Sequence, residues 1–340
     1  MKYKAKVSII ILNWNGKNNT LECLESVKEI DYSNFEVIVV DNGSTDGSPT
    51  EIRRQYPEIT VLETGKNLGY AEGNNVGIRY AIAQRADFVF LLNNDAIVDS
   101  QILNSFLEAT QLYPDAGIFG GKVYDYGEPN KIQFAGAIWD EKTCYFLHMG
   151  EGEIDDGKTF ESYREVDFAI GCVLFFRKEL IEKVGYLEPK FFLNYEETDW
   201  CFRSRRSGYK CIFVPKAKVW HKGAASFAGQ LSPLYVYFMT RNELLWAERN
   251  LKFKHRVRLY KRLFSELMPR FHTGNNSNHR FIKRLYWASV KYFEDFRRRA
   301  RDTVYIARIC GIRDYMFRRF GDCPVDVRDL KKGNTRLDAM

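Results

Sequence analysis

No apolar run in this 340-residue chain approaches the ~18–20 residues needed to cross a bilayer. A membrane-spanning helix is therefore not expected. CxxC pairs are also missing. The seven cysteines, at 23, 144, 172, 201, 211, 310 and 323, are odd in number and several sit in apolar stretches. That pattern excludes a zinc ribbon, argues against a disulfide scaffold, and predicts buried thiols in a reducing compartment. Histidine is scarce, with five in all and no HExxH, so a zinc-protease helix is excluded. There are no internal repeats and no low-complexity tracts. With 45% hydrophobic and 28% charged residues, the chain can bury a sizeable core and does not read as disordered.

The opening MKYKAKVSIIIL has the charge and apolarity of a signal peptide. It breaks at Asn13-Trp14-Asn15 without a small-residue cleavage site, and a buried first strand explains it better. The net charge of +7 is unevenly spread. Residues 230–340 hold 25 Lys and Arg against 11 Asp and Glu, whereas residues 1–229 are net acidic. An acidic body with a basic tail points to two tasks. The expected division is 1–229 and 230–340.

Three short runs of β-branched and apolar residues, 7–12, 36–40 and 88–92, suit strands covered on both faces. Helical patterns near 18–29, 47–56 and 71–85 separate them. This alternation predicts an α/β fold: a mostly parallel, open, Rossmann-like sheet with helices on both faces. Ligands of such sheets bind at the carboxyl ends of the strands. Polar, turn-forming residues follow all three runs: Asn13-Trp14-Asn15-Gly16, then Asp41 through Ser48, then Asn93-Asn94-Asp95. Residues 125–165, rich in Gly, Asp and Glu, read as irregular strands and a mobile loop. Further strands are expected within 168–176 and 211–221, with a helix near 178–184.

Each constellation has two readings. Asp41 can accept hydrogen bonds from a base or ribose, or close an Asx-turn. Glycines 69, 73 and 77 thin one helix face, for a ligand or for tight packing on the sheet. Asp95, alone at a buried strand end, suits a hard cation that takes its other oxygens from a diphosphate and water, or else a solvated turn. In Glu196-Glu197-Thr198-Asp199, helical geometry places Asp199 one turn before Arg203, as an ion pair. The same geometry turns Glu197 about 100° from Glu196, toward a cleft; the alternative is acidic residues favoured by a helix N-terminus. His221 closes an apolar run as a core histidine or a metal ligand.

Together these residues resemble the inverting family 2 glycosyltransferases with the GT-A fold, in the rhamnosyltransferase-like and galactofuranosyltransferase-like branch. The likeness rests on VSIIILNWNG, VIVVDNGSTDGS, NLGYAEGNNVG, FVFLLNNDA, GCVLFFRKE, EETDWCFR and VWHKGAAS, in the family's order over roughly residues 5–245. It implies that Asn13, Trp14, Asn15 and Asp41 line a nucleotide pocket, with Asp41 on the base. Asn67, Gly69, Asn74, Asn75, Asn93 and Asn94 complete the donor-binding set. Asp95 matches the last position of the family's DxD motif. Asn93 stands at the first, so one carboxylate is missing and His221 gains weight as the second ligand of a divalent cation, Mg²⁺ or Mn²⁺. Glu197 matches the catalytic base, Glu196 is the alternative, and Asp199 completes the acidic set.

The implied reaction moves a sugar from a dTDP- or UDP-sugar, dTDP-rhamnose being favoured, to a hydroxyl of a glycan or polyprenyl-linked glycan in surface-polysaccharide synthesis. Residues 281–299 form a basic amphipathic pattern with aromatics on its apolar side. The basic tail suits an anionic membrane surface better than nucleic acid, which places the protein in the cytoplasm, peripheral at the inner face of the cell membrane; a homo-oligomer is compatible with the sequence. One rival is a nucleotidyltransferase, disfavoured because no Gly-rich triphosphate loop follows the first strand. The other is a catalytically silent nucleotide-sugar-binding or scaffold protein of a membrane glycan-assembly complex.

Overall fold

The computed structural model describes residues 4–223, 232–267 and 302–330. The chain forms two compact units, 1–225 and 226–340.

The first unit is built on β1 (Val7–Asn13), β2 (Phe35–Asp41), β3 (Thr60–Glu63) and β4 (Phe88–Asn93), all parallel, in the order β3-β2-β1-β4. Between them run α1 (Lys17–Lys28), α2 (Ser48–Gln55) and α3 (Gly69–Ala83). The β-branched runs form strands because both faces are covered: Ile9, Ile10, Ile11, Val39, Val40, Val89 and Phe90 are all fully buried. Each such side chain contributes roughly 1.5–3 kcal/mol of hydrophobic stabilisation. The glycines of α3 serve this packing. A Cβ at Gly73 would sit 2.6 Å from Leu12, and one at Gly77 would sit 2.5 Å from Ile10.

The rest of the sheet adds antiparallel strands to the mostly parallel arrangement expected from the sequence. The chain continues through β5 (Ala96–Val98), α4 (Ile102–Leu112), β6 (Ala116–Asp125), β7 (Ile132–Phe134), β8 (Ala137–Asp140), β9 (Tyr145–His148) and β10 (Arg164–Glu165). Then come β11 (Val173–Arg177), α5 (Glu179–Val184), a 3₁₀ turn at Pro189–Phe191, α6 (Glu196–Arg206) and β12 (Lys210–His221). β11 inserts antiparallel between β4 and β6, and β12 pairs parallel with β6. Phe106 stacks on Phe175 at 4.8 Å, and Phe88 on Phe175 at 5.2 Å, locking α4 and β4 to β11.

Register fixes the site. Asn13 lies opposite Asp41, Leu12 opposite Asn93, Val173 opposite Leu92, and His221 opposite Ala96. Because β11 runs backwards, its start at Gly171-Cys172 joins the rim formed by the ends of β1, β2 and β4.

The second unit contains α7 (Pro233–Asn250), α8 (Phe253–Leu267), α9 (Thr303–Met316) and α10 (Val325–Asp329). Ser232 caps α7, with Pro233 at its first position. The helices pack closely: a Cβ at Gly311 would meet Tyr237 O at 2.8 Å. Their core holds Tyr237, Phe238, Leu245 and Trp246 around the fully buried Arg241, which donates to Gly321 O at 2.7 Å. Tyr237 donates to the buried Asp314 at 2.8 Å. The amphipathic pattern of 281–299 lies outside the described residues. No helix among the described residues is long and apolar enough to cross a membrane. All seven cysteines are buried.

Candidate active site

The ends of β1 and β2 are knotted through one buried side chain. Asn13 Nδ2 donates to Asp41 Oδ1 at 2.8 Å and to Ser44 Oγ at 3.1 Å. Its Oδ1 accepts from Thr20 Oγ1 (2.9 Å), the Gly16 N–H (3.2 Å) and Asn94 Nδ2 (3.3 Å). Asp41 also takes the Ser44 N–H at 2.9 Å, closing the turn by which the strand becomes a loop. Asn15, in the left-handed region at φ 51°, accepts from the Thr45 N–H at 2.7 Å and so laces the two loops together. Trp14 stands out from this knot, 45% exposed. A buried carboxylate and an exposed aromatic face thus share one rim, the combination that a nucleoside base requires.

The next loop is held by Asn42, which the sequence did not single out. Its amide donates to Asn67 Oδ1 and Gly69 O, both at 3.1 Å, and accepts the Leu68 N–H at 3.0 Å. Two of the residues expected to hold the donor also make contacts within the protein. Gly69 has φ +80°, and a Cβ there would lie 2.5 Å from Phe192 O; it is glycine for that contact. Asn75 is buried and clamps Leu187, accepting its N–H at 3.1 Å and donating to its carbonyl at 2.9 Å. Asn74, also buried, donates back to Tyr70 O at 2.9 Å.

At the end of β4, Asp95 and His221 come together, with Oδ1 to Nε2 at 3.1 Å. Both are nearly buried, at 8% exposed. His221 Nδ1 sits 2.7 Å from Gln133 Oε1, a partner the sequence did not reveal. With that oxygen accepting, Nδ1 carries a proton, and a metal at Nε2 would take the place of the proton that bridges it to Asp95. Two ligands at right angles on one cation, each at about 2.1 Å, stand roughly 3.0 Å apart, close to the observed spacing. Among the described residues no group of three or more His, Cys, Asp and Glu side chains is arranged to hold a metal. The pair therefore fits an ion completed by phosphate and water. Asn94 turns away to Thr20 Oγ1 at 3.0 Å, while Asn93 Nδ2 is 3.4 Å from His221 Nε2. Burial pushes the Asp95 carboxyl up, but the hydrogen bond and charge of His221 outweigh it and hold the group below the usual carboxylate range. Lys222 follows. Its N–H donates to Asp95 O at 3.1 Å, and its ammonium reaches Asn19 at 3.0 Å and Glu22 at 2.5 Å, 4.9 Å over the Tyr126 ring.

The acidic end sits on α6. Phe192, Asn194 and Tyr195, with φ of 64°, 68° and 73°, turn the chain into it through the left-handed region. Such a run costs energy, and strained backbone of this kind gathers at functional sites. Asp199 is fully buried and paired with Arg203 Nε at 2.8 Å, and Arg203 also binds Val184 O and Tyr186 O. Asp199 is thus held in place by the α6 helix's own ion pair, the one its four-residue spacing from Arg203 suggests.

Glu196 and Glu197 do not splay apart as helical geometry suggested. Their carboxyls meet, because two long side chains at a first turn can bend toward each other. Each keeps one buried oxygen without a hydrogen-bond partner. Burial, then the charge of Glu197, raises Glu196 well above the ordinary carboxyl range. Burial also raises Glu197, opposed by backbone N–H groups, including that of Gly171, and by the bond from Glu196. The Gly171 carbonyl accepts from Tyr70 OH at 2.6 Å. A proton held on Glu196 and shared toward Glu197 leaves Glu197 as the ionised partner.

Comparison with known proteins gives the family and the fold. The family described as "Glycosyl transferase family 2" matches residues 8–185. The chain is 26% identical over 241 residues to the N-acetylglucosaminyl-diphospho-decaprenol L-rhamnosyltransferase of Mycobacterium tuberculosis, covering 62% of this chain and 76% of that one. It is 24% identical over 266 residues to the dTDP-rhamnosyl transferase RfbF of Shigella flexneri, covering 72% and 81%. Among solved structures, the mannosyltransferase PcManGT of Pyrobaculum calidifontis, in complex with GDP-Man and Mn²⁺, superposes with a TM-score of 0.55 at 16% identity, over 94% of this chain and 89% of that one. S. aureus TarS 1–349 with UDP-GlcNAc gives 0.52 at 17% identity, over 92% of each chain. These two likenesses concern the fold, which is the GT-A arrangement expected from the motifs. The match across more than half its length makes this chain a member of glycosyl transferase family 2, an enzyme that transfers glycosyl groups.

Proposed function

We propose that the protein moves rhamnose from dTDP-rhamnose to a hydroxyl of a lipid-linked glycan in surface-polysaccharide synthesis, with inversion at the anomeric carbon. The donor and acceptor follow the names of its rhamnosyltransferase relatives. The mechanism rests on one observation: two neighbouring buried carboxyls, each with an unsatisfied oxygen, on the rim that also carries Asp95 and His221.

Trp14 stacks on the base and Asp41 accepts from it, while Asn67 holds the nucleotide loop. Asp95 and His221 would hold a divalent cation, Mg²⁺ or Mn²⁺, which when bound supplies charge neutralisation to the departing diphosphate. Lys222 adds a protein cation beside it by exchanging Glu22 for a phosphate oxygen. Glu197 takes the proton of the acceptor hydroxyl as that oxygen bonds to the anomeric carbon. The bond to the diphosphate breaks on the opposite face, and its electron pair leaves with the nucleoside diphosphate. Glu196 keeps its proton and orients Glu197.

Glu197→Gln is expected to lower kcat by about 10²–10⁴-fold while leaving donor binding intact. Full transfer by that variant would remove the assignment. A thermal-shift screen of dTDP-rhamnose, UDP-hexoses and GDP-mannose, with and without Mg²⁺ or Mn²⁺, identifies the donor by the largest metal-dependent stabilisation. An equal shift with and without metal would remove the cation from the reading.

A further inference from the structure

The apolar face of α8 is broader than packing on its own unit needs, and its outer part continues the buried stripe. His255, Leu259, Leu263 and Leu267 form the inward stripe and are buried. Phe253, Val257, Tyr260 and Phe264 form the outer part, spanning only about 60° of arc at 100° per residue. Phe253 is 77% exposed, Phe264 59% and Tyr260 37%. Lys254, Arg258 and Lys261, all exposed, flank this outer part on one side. The single acidic residue of the helix, Glu266, is turned toward Arg262 and Arg308.

We infer that this outward face of α8 is a docking surface for an anionic lipid bilayer. The inference goes beyond the reaction above and stands on residues of the second unit alone. Two exposed phenylalanine rings in one narrow line, beside a row of cations with long aliphatic stems, match a helix lying in the plane of a membrane interface, while Tyr260 beside them leans to Tyr315, the two hydroxyls 3.4 Å apart. The rings enter the acyl boundary and the cations meet lipid phosphates. The rings of Phe253 and Phe264 lie about 16 Å apart along the axis at 1.5 Å per residue, so both enter the interface only if the helix lies flat. A second copy of the chain fits this face poorly, since Lys254, Arg258 and Lys261 would approach their own counterparts and repel.

The full-length chain is tested by co-sedimentation with phosphatidylcholine vesicles, with and without phosphatidylglycerol. Binding is expected only with phosphatidylglycerol, and it should weaken as salt rises. The Phe253→Ser/Phe264→Ser variant should bind about tenfold more weakly. Lys254→Glu/Lys261→Glu should lose the preference for anionic vesicles. Both variants should keep the nucleotide-dependent thermal shift of the parent, which separates this proposal from the reading of the active site. If the double serine variant loses that shift, Phe253→Ser alone, at the most exposed ring, replaces it. Three results would overturn the proposal: variants that sediment like the parent, substitutions that instead dissolve a dimer in sedimentation equilibrium, or single-stranded RNA bound tightly through the same rings.

Discussion

Two of the acidic centres on the rim, Asp41 and the Glu196–Glu197 pair, are built in opposite ways. Asp41 is enclosed by donors: the Asn13 amide and the Ser44 N–H reach it at 2.8 and 2.9 Å. Glu196 and Glu197 face each other, and each retains a buried oxygen without a partner. A satisfied carboxylate is a stable acceptor that holds its shape before ligand arrives. An unsatisfied pair keeps a high proton affinity at a cost in stability, which is what a proton-accepting group at neutral pH requires. In the proposed reading, recognition at one end rests on hydrogen bonds, whereas reactivity at the other depends on withholding them.

Three substitutions probe this contrast, in falling order of effect. Asn13→Ala strips Asp41, Thr20 and Asn94 of a shared partner. It should destabilise by about 3 kcal/mol, read from the urea midpoint, because buried polar groups are left unpaired. Gly69→Ala places a side chain at φ +80° and into Phe192. It should cost about 2 kcal/mol and lower kcat as well, since Phe192 leads into the turn that carries the acid pair.

Glu196→Gln should act with the opposite sign. The Glu196 carboxyl is raised in the folded state. Its stabilising effect is therefore complete below the unfolded value near 4.5 and is lost as pH rises through the folded one. The glutamine variant should match the parent at low pH and exceed it at pH 8, on the order of 1 kcal/mol, in thermal melts. A variant less stable than the parent at pH 8 would show that the pair is not under strain.

Much of this was legible in the chain. The strands β1, β2 and β4 announce themselves as β-branched runs, and the residues after them fall on one rim because parallel strands end together. The Asp199–Arg203 pair follows from four-residue spacing. What stayed hidden depends on contacts between distant segments. Gln133 meets His221 across 88 positions, and Asn75 meets Leu187 across 112. No local period encodes the antiparallel insertion of β11, which delivers Gly171 to Glu197. The convergence of Glu196 and Glu197 was missed because the 100° rule describes Cβ directions, not the ends of long side chains.

The caps around the rim carry one more consequence. The first N–H groups of α3 are taken by Asn67 Oδ1 and the Phe192 carbonyl, those at the start of α1 and α2 by Asp46. Helix N-termini are ready-made anion seats, yet at these three the first N–H groups already meet the protein's own oxygens. In the proposed reading the charge of an arriving diphosphate therefore falls largely to Lys222 and to the cation that Asp95 and His221 would hold.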